Sequence, residues 1–203
     1  MGLRSSFKND LEKEQKLSVF LDAYYKKHLK HYIFERAHDL KRQIQGVDLV
    51  LAHNTSGRRF LIDEKAQLDY INEDLPTFAF ELVYQKDGEV KKGWLFNAKK
   101  KTEFYALITS IYADEPEKFT SCKVTFVNRK KLIEFLNVRK INQEYLDSQI
   151  EKHKNHNGKI VLDKLHPYHE GYLYFSTIKK AEKPINLILK LAFLTENGIA
   201  KQL

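Results

Sequence analysis

The chain has 203 residues, 42% of them hydrophobic and 31% charged, with only 8 Gly and 4 Pro; this excludes a disordered or collagenous chain and is enough apolar material for one core. The formal net charge of +8 at pH 7 favours polyanionic partners such as nucleic acid, although charge balance concerns association and not fold. No run approaches the roughly 18 apolar residues of a spanning helix, the charged start Met1 to Lys16 has no export-signal core, and Cys122 stands alone, so a soluble cytoplasmic protein without internal disulfides or a membrane partner is expected.

Taken in chain order, Leu11, Leu17, Phe20, Leu21, Tyr24 and Tyr32 recur at helical spacing, which predicts one amphipathic helix from Asn9 to about Tyr32, capped by Asn9 or Asp10. The same stripe extends from Tyr32 to Glu35 and turns Glu35 inward. Gly46 then marks the entry to a strand through Val47, Leu49 and Leu51. The turn residues Asn54 to Gly57 join it to a second strand from Arg59 to Gln67. Asp87-Gly88 predicts a hairpin between strands Thr77 to Tyr84 and Val90 to Phe96. Phe104 to Tyr112 reads as strand in preference to helix, and Lys123 to Val127 as strand. Arg129 to Val138 has a helical face, and the polar stretch Asn142 to Gly158 is an insertion or a second helix. Ile160 to Leu162, Tyr172 to Phe175 and Ile185 to Phe193 are further apolar segments. No internal repeat or domain boundary stands out, so residues 1–203 are expected to form one domain with a core at about 10–138 and a C-terminal extension, 139–203, of the same domain.

Period-two geometry puts Leu61, Asp63, Lys65 and Gln67 on one strand face and Phe60, Ile62, Glu64 and Ala66 on the other. With a four-residue loop from Asn54 to Gly57, Ala52 faces Arg59, and constant register sets Asp48 opposite Asp63. Directly opposed residues have Cβ atoms about 4.5–5.5 Å apart, so two carboxylates and the Lys65 ammonium converge there. Paired like charges are costly unless a divalent cation or the lysine offsets them. Mg²⁺ suits one or two carboxylates, keeping its remaining positions for water and phosphate oxygens.

Gly46-Val47-Asp48-Leu49-Val50 followed by Ile62-Asp63-Glu64-Lys65-Ala66-Gln67 resembles the PD-(D/E)XK nuclease superfamily, with Val47 where the family name has Pro. The resemblance spans roughly residues 30–136, including Phe78-Ala79-Phe80-Glu81-Leu82, Gly93-Trp94-Leu95-Phe96 and Thr102-Glu103-Phe104-Tyr105. It implies a restriction-endonuclease-like fold of the α/β (α+β) class, a mixed central β-sheet flanked by helices. It also implies a metal-dependent nuclease hydrolysing phosphodiesters, with DNA favoured over RNA. Asp48 and Asp63 are then ligands of Mg²⁺, for which Mn²⁺ substitutes, Lys65 orients water or stabilises phosphate charge, and Glu35 is a further, helix-borne ligand. Gln67 shares the face and would touch substrate or the metal's ligands.

Each reading has a plainer competitor. Asp48, Asp63 and Lys65 could form a surface salt bridge stabilising the fold by less than about 1 kcal/mol; Glu35 could pair with Arg36, His31 or His38 at a helix end, and Glu81 could make an ordinary ion pair. Lys99, Lys100, Lys101, Arg129, Lys130 and Lys131 could grip substrate phosphates or form a solvated face. His153, His156, His166 and His169 complete no familiar zinc set, and core packing explains most of the aromatic residues. The alternative function is a non-catalytic nucleic-acid-binding protein on the same fold, using Arg129 to Ile150 as a helix-turn-helix-like element. A purely structural protein partner is the third reading; a homodimer is compatible with double-strand cutting but leaves no signature in the chain.

Overall fold

The computed structural model describes residues 3–116, 118–178 and 182–203, with the backbone alone for 3–11. Helix α1 (Leu3–His28) buries Leu17, Leu21 and Tyr25 at four-residue intervals, the spacing that keeps side chains on one helical face. It begins ahead of Asn9 and Asp10, which therefore do not cap it, and the side chain of Leu11 lies outside the described set. The helix also stops earlier than its periodicity suggests. Tyr32, Ile33 and Phe34 open strand β1 (Tyr32–Arg36), in which Tyr32, Phe34 and Arg36 turn inward while Ile33 and Glu35 turn out. Aromatic and β-branched residues in alternation favour strand over helix, and pairing with β2 (Leu49–His53) fixes the choice. Glu35 is thus strand-borne and exposed, not on a helix and not inward.

A short helix α2 (Leu40–Ile44), capped by the Asp39 carboxylate on the Arg42 amide, leads to β2. Strand β3 (Arg59–Ala66) returns beside it in the expected register, with Leu49 opposite Ile62 and Ala52 opposite Arg59. After a 3-10 turn at Leu68–Tyr70 come β4 (Thr77–Lys86) and β5 (Glu89–Lys92), joined through Asp87 and Gly88 at φ 54° and 80°, the positive pair that a type I′ hairpin requires. Strand β5 ends before Gly93, short of the expected Phe96. A side chain at Gly93 would collide with the Glu81 backbone, and this close approach folds Trp94 and Leu95 under β4, with Leu95 fully buried.

Strands β6 (Phe104–Glu115) and β7 (Lys118–Asn128) form a long hairpin followed by helices α3 (Arg129–Val138) and α4 (Gln143–Lys152), capped by Asn128 and Asn142. Then follow β8 (Gly158–Ile160), β9 (Gly171–Phe175), β10 (Ile185–Lys190), helix α5 (Leu191–Glu196) and β11 (Ala200–Gln202). The apolar segment from Ile185 to Phe193 thus divides between β10 and α5, where Phe193 is buried.

The fold is mixed α/β with two sheets. One is ordered β1-β2-β3-β6-β7-β11, with β3 and β6 parallel and its other pairs antiparallel; the second is antiparallel, ordered β5-β4-β10-β9-β8. Helix α1 packs on Leu49, Leu51, Ile62, Ala106, Ile108 and Val124. The other face of the first sheet, through Tyr105, Leu107 and Val127, meets Phe78, Phe80 and Leu82 of β4 together with Leu132, Leu136 and Leu146 of α3 and α4. A second sheet, with helices beside it, therefore occupies the side where helices alone were expected. A parallel pair needs a long crossover, and here β4 and β5 lie within the one joining β3 to β6.

Candidate active site

Asp63 is 1% exposed, a position that a carboxylate occupies only with compensating partners. Its Oδ1 accepts a 2.5 Å hydrogen bond from Lys65 Nζ, while its Oδ2 is buried without a hydrogen-bond partner. Burial pushes the Asp63 carboxyl up to about 6; the Lys65 ammonium opposes that rise and the neighbouring Asp48 carboxylate adds to it. Asp48 is half-buried at the start of the ladder, its amide donating to the Ile62 carbonyl and its Oδ2 accepting from the Glu64 amide at 2.9 Å. The hairpin therefore delivers the expected trio of Asp48, Asp63 and Lys65 to one place. Burial pulls the Lys65 pKa down, but Asp63, Asp48 and Glu81 outweigh it and hold the ammonium charged. Its Nζ also lies 5.7 Å from the centre of the Trp94 ring.

Glu64 points to the opposite face, where it accepts from Tyr25 Oη at 2.8 Å and from Arg36 at 2.6 Å. Glu35 is not gathered in: it is exposed, 3.6 Å from both Arg42 and Arg59. Among the described residues no three metal-ligating side chains assemble, so the expected third ligand falls away. Its strand places it two residues from the position level with Asp48, since Ala37 is the residue whose amide bonds the Asp48 carbonyl. Gln67 donates its amide to the Thr77 carbonyl at 2.9 Å, tying the end of β3 to the start of β4.

The floor beneath Asp63 is Gly46, at φ 71°. A Cβ there would stand 3.2 Å from Asp63 Oδ2 and 2.6 Å from Thr102 Oγ1, so glycine is needed both for the backbone and for the space. Buried Thr102 donates to the Gly46 carbonyl at 2.7 Å. Lys100 lies against Gly46 and donates to the Ile44 carbonyl, while Lys99 and Lys101 are exposed beside it. Arg129 is otherwise employed. Its guanidinium donates to the carbonyls of Leu95, Asn97 and Lys100 and so shapes the loop that carries the lysines. Lys130 is exposed, 3.8 Å from Glu134.

Glu81, read from sequence as an ordinary ion-pairing residue, belongs to the neighbourhood. Burial raises its carboxyl, Glu182 adds to the rise, and the Lys65 and Lys100 charges counter it. The signal that could have found it is the alternation of β4, which buries Phe80 and Leu82 and turns Glu81 to the other face. Asp48 and Lys65 open on a cleft of about 580 Å³ whose walls include Ser18 of α1, Arg36, His38 and Gln43.

Two adjacent carboxylates, one with an unpartnered buried oxygen, fit a hard divalent cation, which takes oxygen ligands and needs few from the protein. No described helix is long and apolar enough to cross a membrane. Comparison of the chain with protein-family models, with curated proteins and with solved structures returns no match.

Proposed function

We propose that the protein is a metal-dependent nuclease of restriction-endonuclease-like, PD-(D/E)XK type that hydrolyses phosphodiesters, with DNA as the favoured substrate and a cytoplasmic setting. The observation that carries this reading is the buried Asp63 carboxylate with one oxygen on Lys65 and the other unpartnered beside Asp48. A hairpin salt bridge on the surface would leave both carboxylates solvated and would have no need to exclude water from Asp63.

Asp48 and Asp63 would hold Mg²⁺ or Mn²⁺, which when bound polarises a phosphoryl oxygen and lowers the pKa of a water. Lys65, held charged between Asp63 and the Trp94 ring, stabilises negative charge as it grows on the phosphate oxygens. The water oxygen bonds to phosphorus as the P–O ester bond breaks. The water releases a proton and the leaving alkoxide takes one up, giving a phosphomonoester and an alcohol. The Glu64 amide, bonded to Asp48 Oδ2, fixes the Asp48 carboxylate so that it needs little reorganisation. Lys99, Lys100 and Lys101 lie where a polyanion approaching Gly46 would meet them.

The test combines cleavage with metal binding. Wild type is expected to cut plasmid or oligonucleotide DNA with Mg²⁺ or Mn²⁺ and to stop in EDTA, and Lys65→Ala to lose at least about a hundredfold in rate. In thermal unfolding, added Mn²⁺ should raise the Tm of wild type and leave that of Asp63→Asn unmoved, since a ligand stabilises only the fold it binds. Equal cleavage by Lys65→Ala, or equal Mn²⁺ stabilisation of Asp63→Asn, refutes the assignment. DNA binding without cleavage in either metal favours the non-catalytic reading.

A further inference from the structure

The two faces of the five-stranded sheet differ in chemistry. Its inner face is aliphatic and phenylalanine-rich, with Phe78, Phe80, Leu173, Phe175, Leu187 and Leu189 buried in the core. On the outer face the register sets Tyr174 beside Asn186 and Asn186 beside Glu81, and in the next row Tyr172 beside Ile188 and Ile188 beside Ala79. Lys159 of β8 continues the first row opposite Tyr174. The Lys159 ammonium lies 4.3 Å from the centre of the Tyr172 ring and 5.1 Å from that of Tyr168. Tyr174 is 40% exposed, Tyr168 73% and Tyr70, which follows β3, 44%. The Tyr172 phenol is raised first by burial and then by Tyr174 and Tyr70.

Tyrosines serve a core by burying their rings, and these leave ring surface in water around a cation. One row ends on Glu81, whose carbonyl accepts from the Leu95 amide next to Trp94, the ring that lies 5.7 Å from Lys65 Nζ, so the aromatic face runs up to the candidate active site. Along a strand, Tyr172 and Tyr174 are about 6.5–7 Å apart, enough for each ring to take its own base.

We propose that this tyrosine-lined sheet face is a stacking platform for unpaired nucleotides, and that the substrate presented to Asp48, Asp63 and Lys65 therefore carries a single-stranded segment. The second half of the statement rests on the nuclease reading; the platform itself does not. Every base has an aromatic face that can stack on tyrosine, and a lysine among the rings meets the adjoining phosphate. A duplex keeps those base faces within its own stack and gains nothing from exposed rings. The net charge of +8 complements the polyanion as a whole.

The experiment measures fluorescence anisotropy of a labelled oligothymidine of about 15 nucleotides and of a labelled duplex, in EDTA so that no cleavage intervenes. Tyr168→Ala combined with Tyr174→Ala is expected to weaken oligothymidine binding by about tenfold per ring removed, with duplex binding nearly unchanged. Tyr168→Phe with Tyr174→Phe should retain the affinity, because stacking needs the ring and not the hydroxyl. Both positions are exposed, and an unchanged Tm confirms that the fold survives. The proposal is overturned if wild type fails to bind oligothymidine, if the double alanine variant binds it as wild type does, or if single strand and duplex lose affinity equally. Should metal-dependent cleavage fail while single-strand binding follows the tyrosines, the nuclease reading falls and the platform stands. Cleavage of duplex with no oligothymidine binding gives the reverse result.

Discussion

Arg36 shows how a single side chain offsets carboxylate charge in the wall of the candidate site's cleft. Its guanidinium meets Glu64 and Asp22 at 2.6 Å each and donates to the Ser18 carbonyl, while Tyr25 donates to the second oxygen of Glu64. Burial works against the arginine's charge, but Glu64 and Asp22 more than compensate, and its pKa rises. Glu64 sits between the two reactive residues of β3 and is itself mostly buried, and this network holds its carboxylate against α1, in the wall of the cleft on which Asp48 and Lys65 open. Removing one partner of a buried pair leaves the other charge uncompensated, at a cost of about 3–5 kcal/mol. Arg36→Ala should therefore lower the denaturant midpoint by that equivalent, and Arg36→Ala with Glu64→Gln should recover part of the loss. An Arg36→Ala protein as stable as wild type in urea unfolding would show that α1 is held by apolar contacts alone.

At the level of elements, what the sequence disclosed follows from the range of the interactions involved. The β2–β3 register is set by a local turn and by alternation, so Asp48, Asp63 and Lys65 could be brought together by counting from Asn54 to Gly57. Glu35 could not be placed in this way. Tyr32 to Arg36 fits a helical stripe and a strand alternation equally, and pairing with Leu49–His53, a contact distant in sequence, decides between them. Glu81 was similarly hidden because its nearness to Lys65 depends on how the second sheet packs. Long-range ties of this kind can be read by titration. Arg139, which caps α3, donates to both oxygens of Glu170 at 2.7 and 2.8 Å, and the His166 amide adds a third bond, joining the helices to the turn before β9. The Arg139 hydrogen bonds hold the Glu170 carboxyl below its ordinary 4.5. A carboxyl depressed by folding stabilises the fold above the unfolded-state pKa, and that contribution is lost as pH falls through the folded value. Glu170→Gln should thus lower Tm at pH 7 by the equivalent of about 1–3 kcal/mol, with the gap to wild type closing as pH falls below 4.5. A gap that stays constant down to strong acid would mean that the carboxylate charge plays no part in the tie.

For the whole molecule, the chain order of the strands determines which part can stand alone. Sequence reading set a core at about residues 10–138 with the remainder as an extension, yet the later strands enter both sheets. Strand β10 pairs with β4 along Thr77 to Val83 and β11 pairs with β7 along Thr125 to Val127. Leu173, Phe175, Leu187, Leu189 and Leu194 are buried in the same cluster as Phe80, Tyr105 and Leu132. Without them β4 would have only the exposed β5 for a neighbour, and an isolated two-stranded hairpin is marginal in water. The consequence reaches the candidate site, because β4 carries Glu81 and its connection to β6 carries Trp94 and Thr102, the groups that border Lys65 and Gly46. A fragment ending at Val138 should lose the cooperative thermal transition and the near-ultraviolet circular dichroism of its packed tyrosines, and it should bind neither Mn²⁺ nor oligothymidine. If that fragment melts cooperatively and keeps Mn²⁺-dependent stabilisation, the first sheet with α1 is sufficient to build the carboxylate pair, and the second sheet serves substrate binding alone.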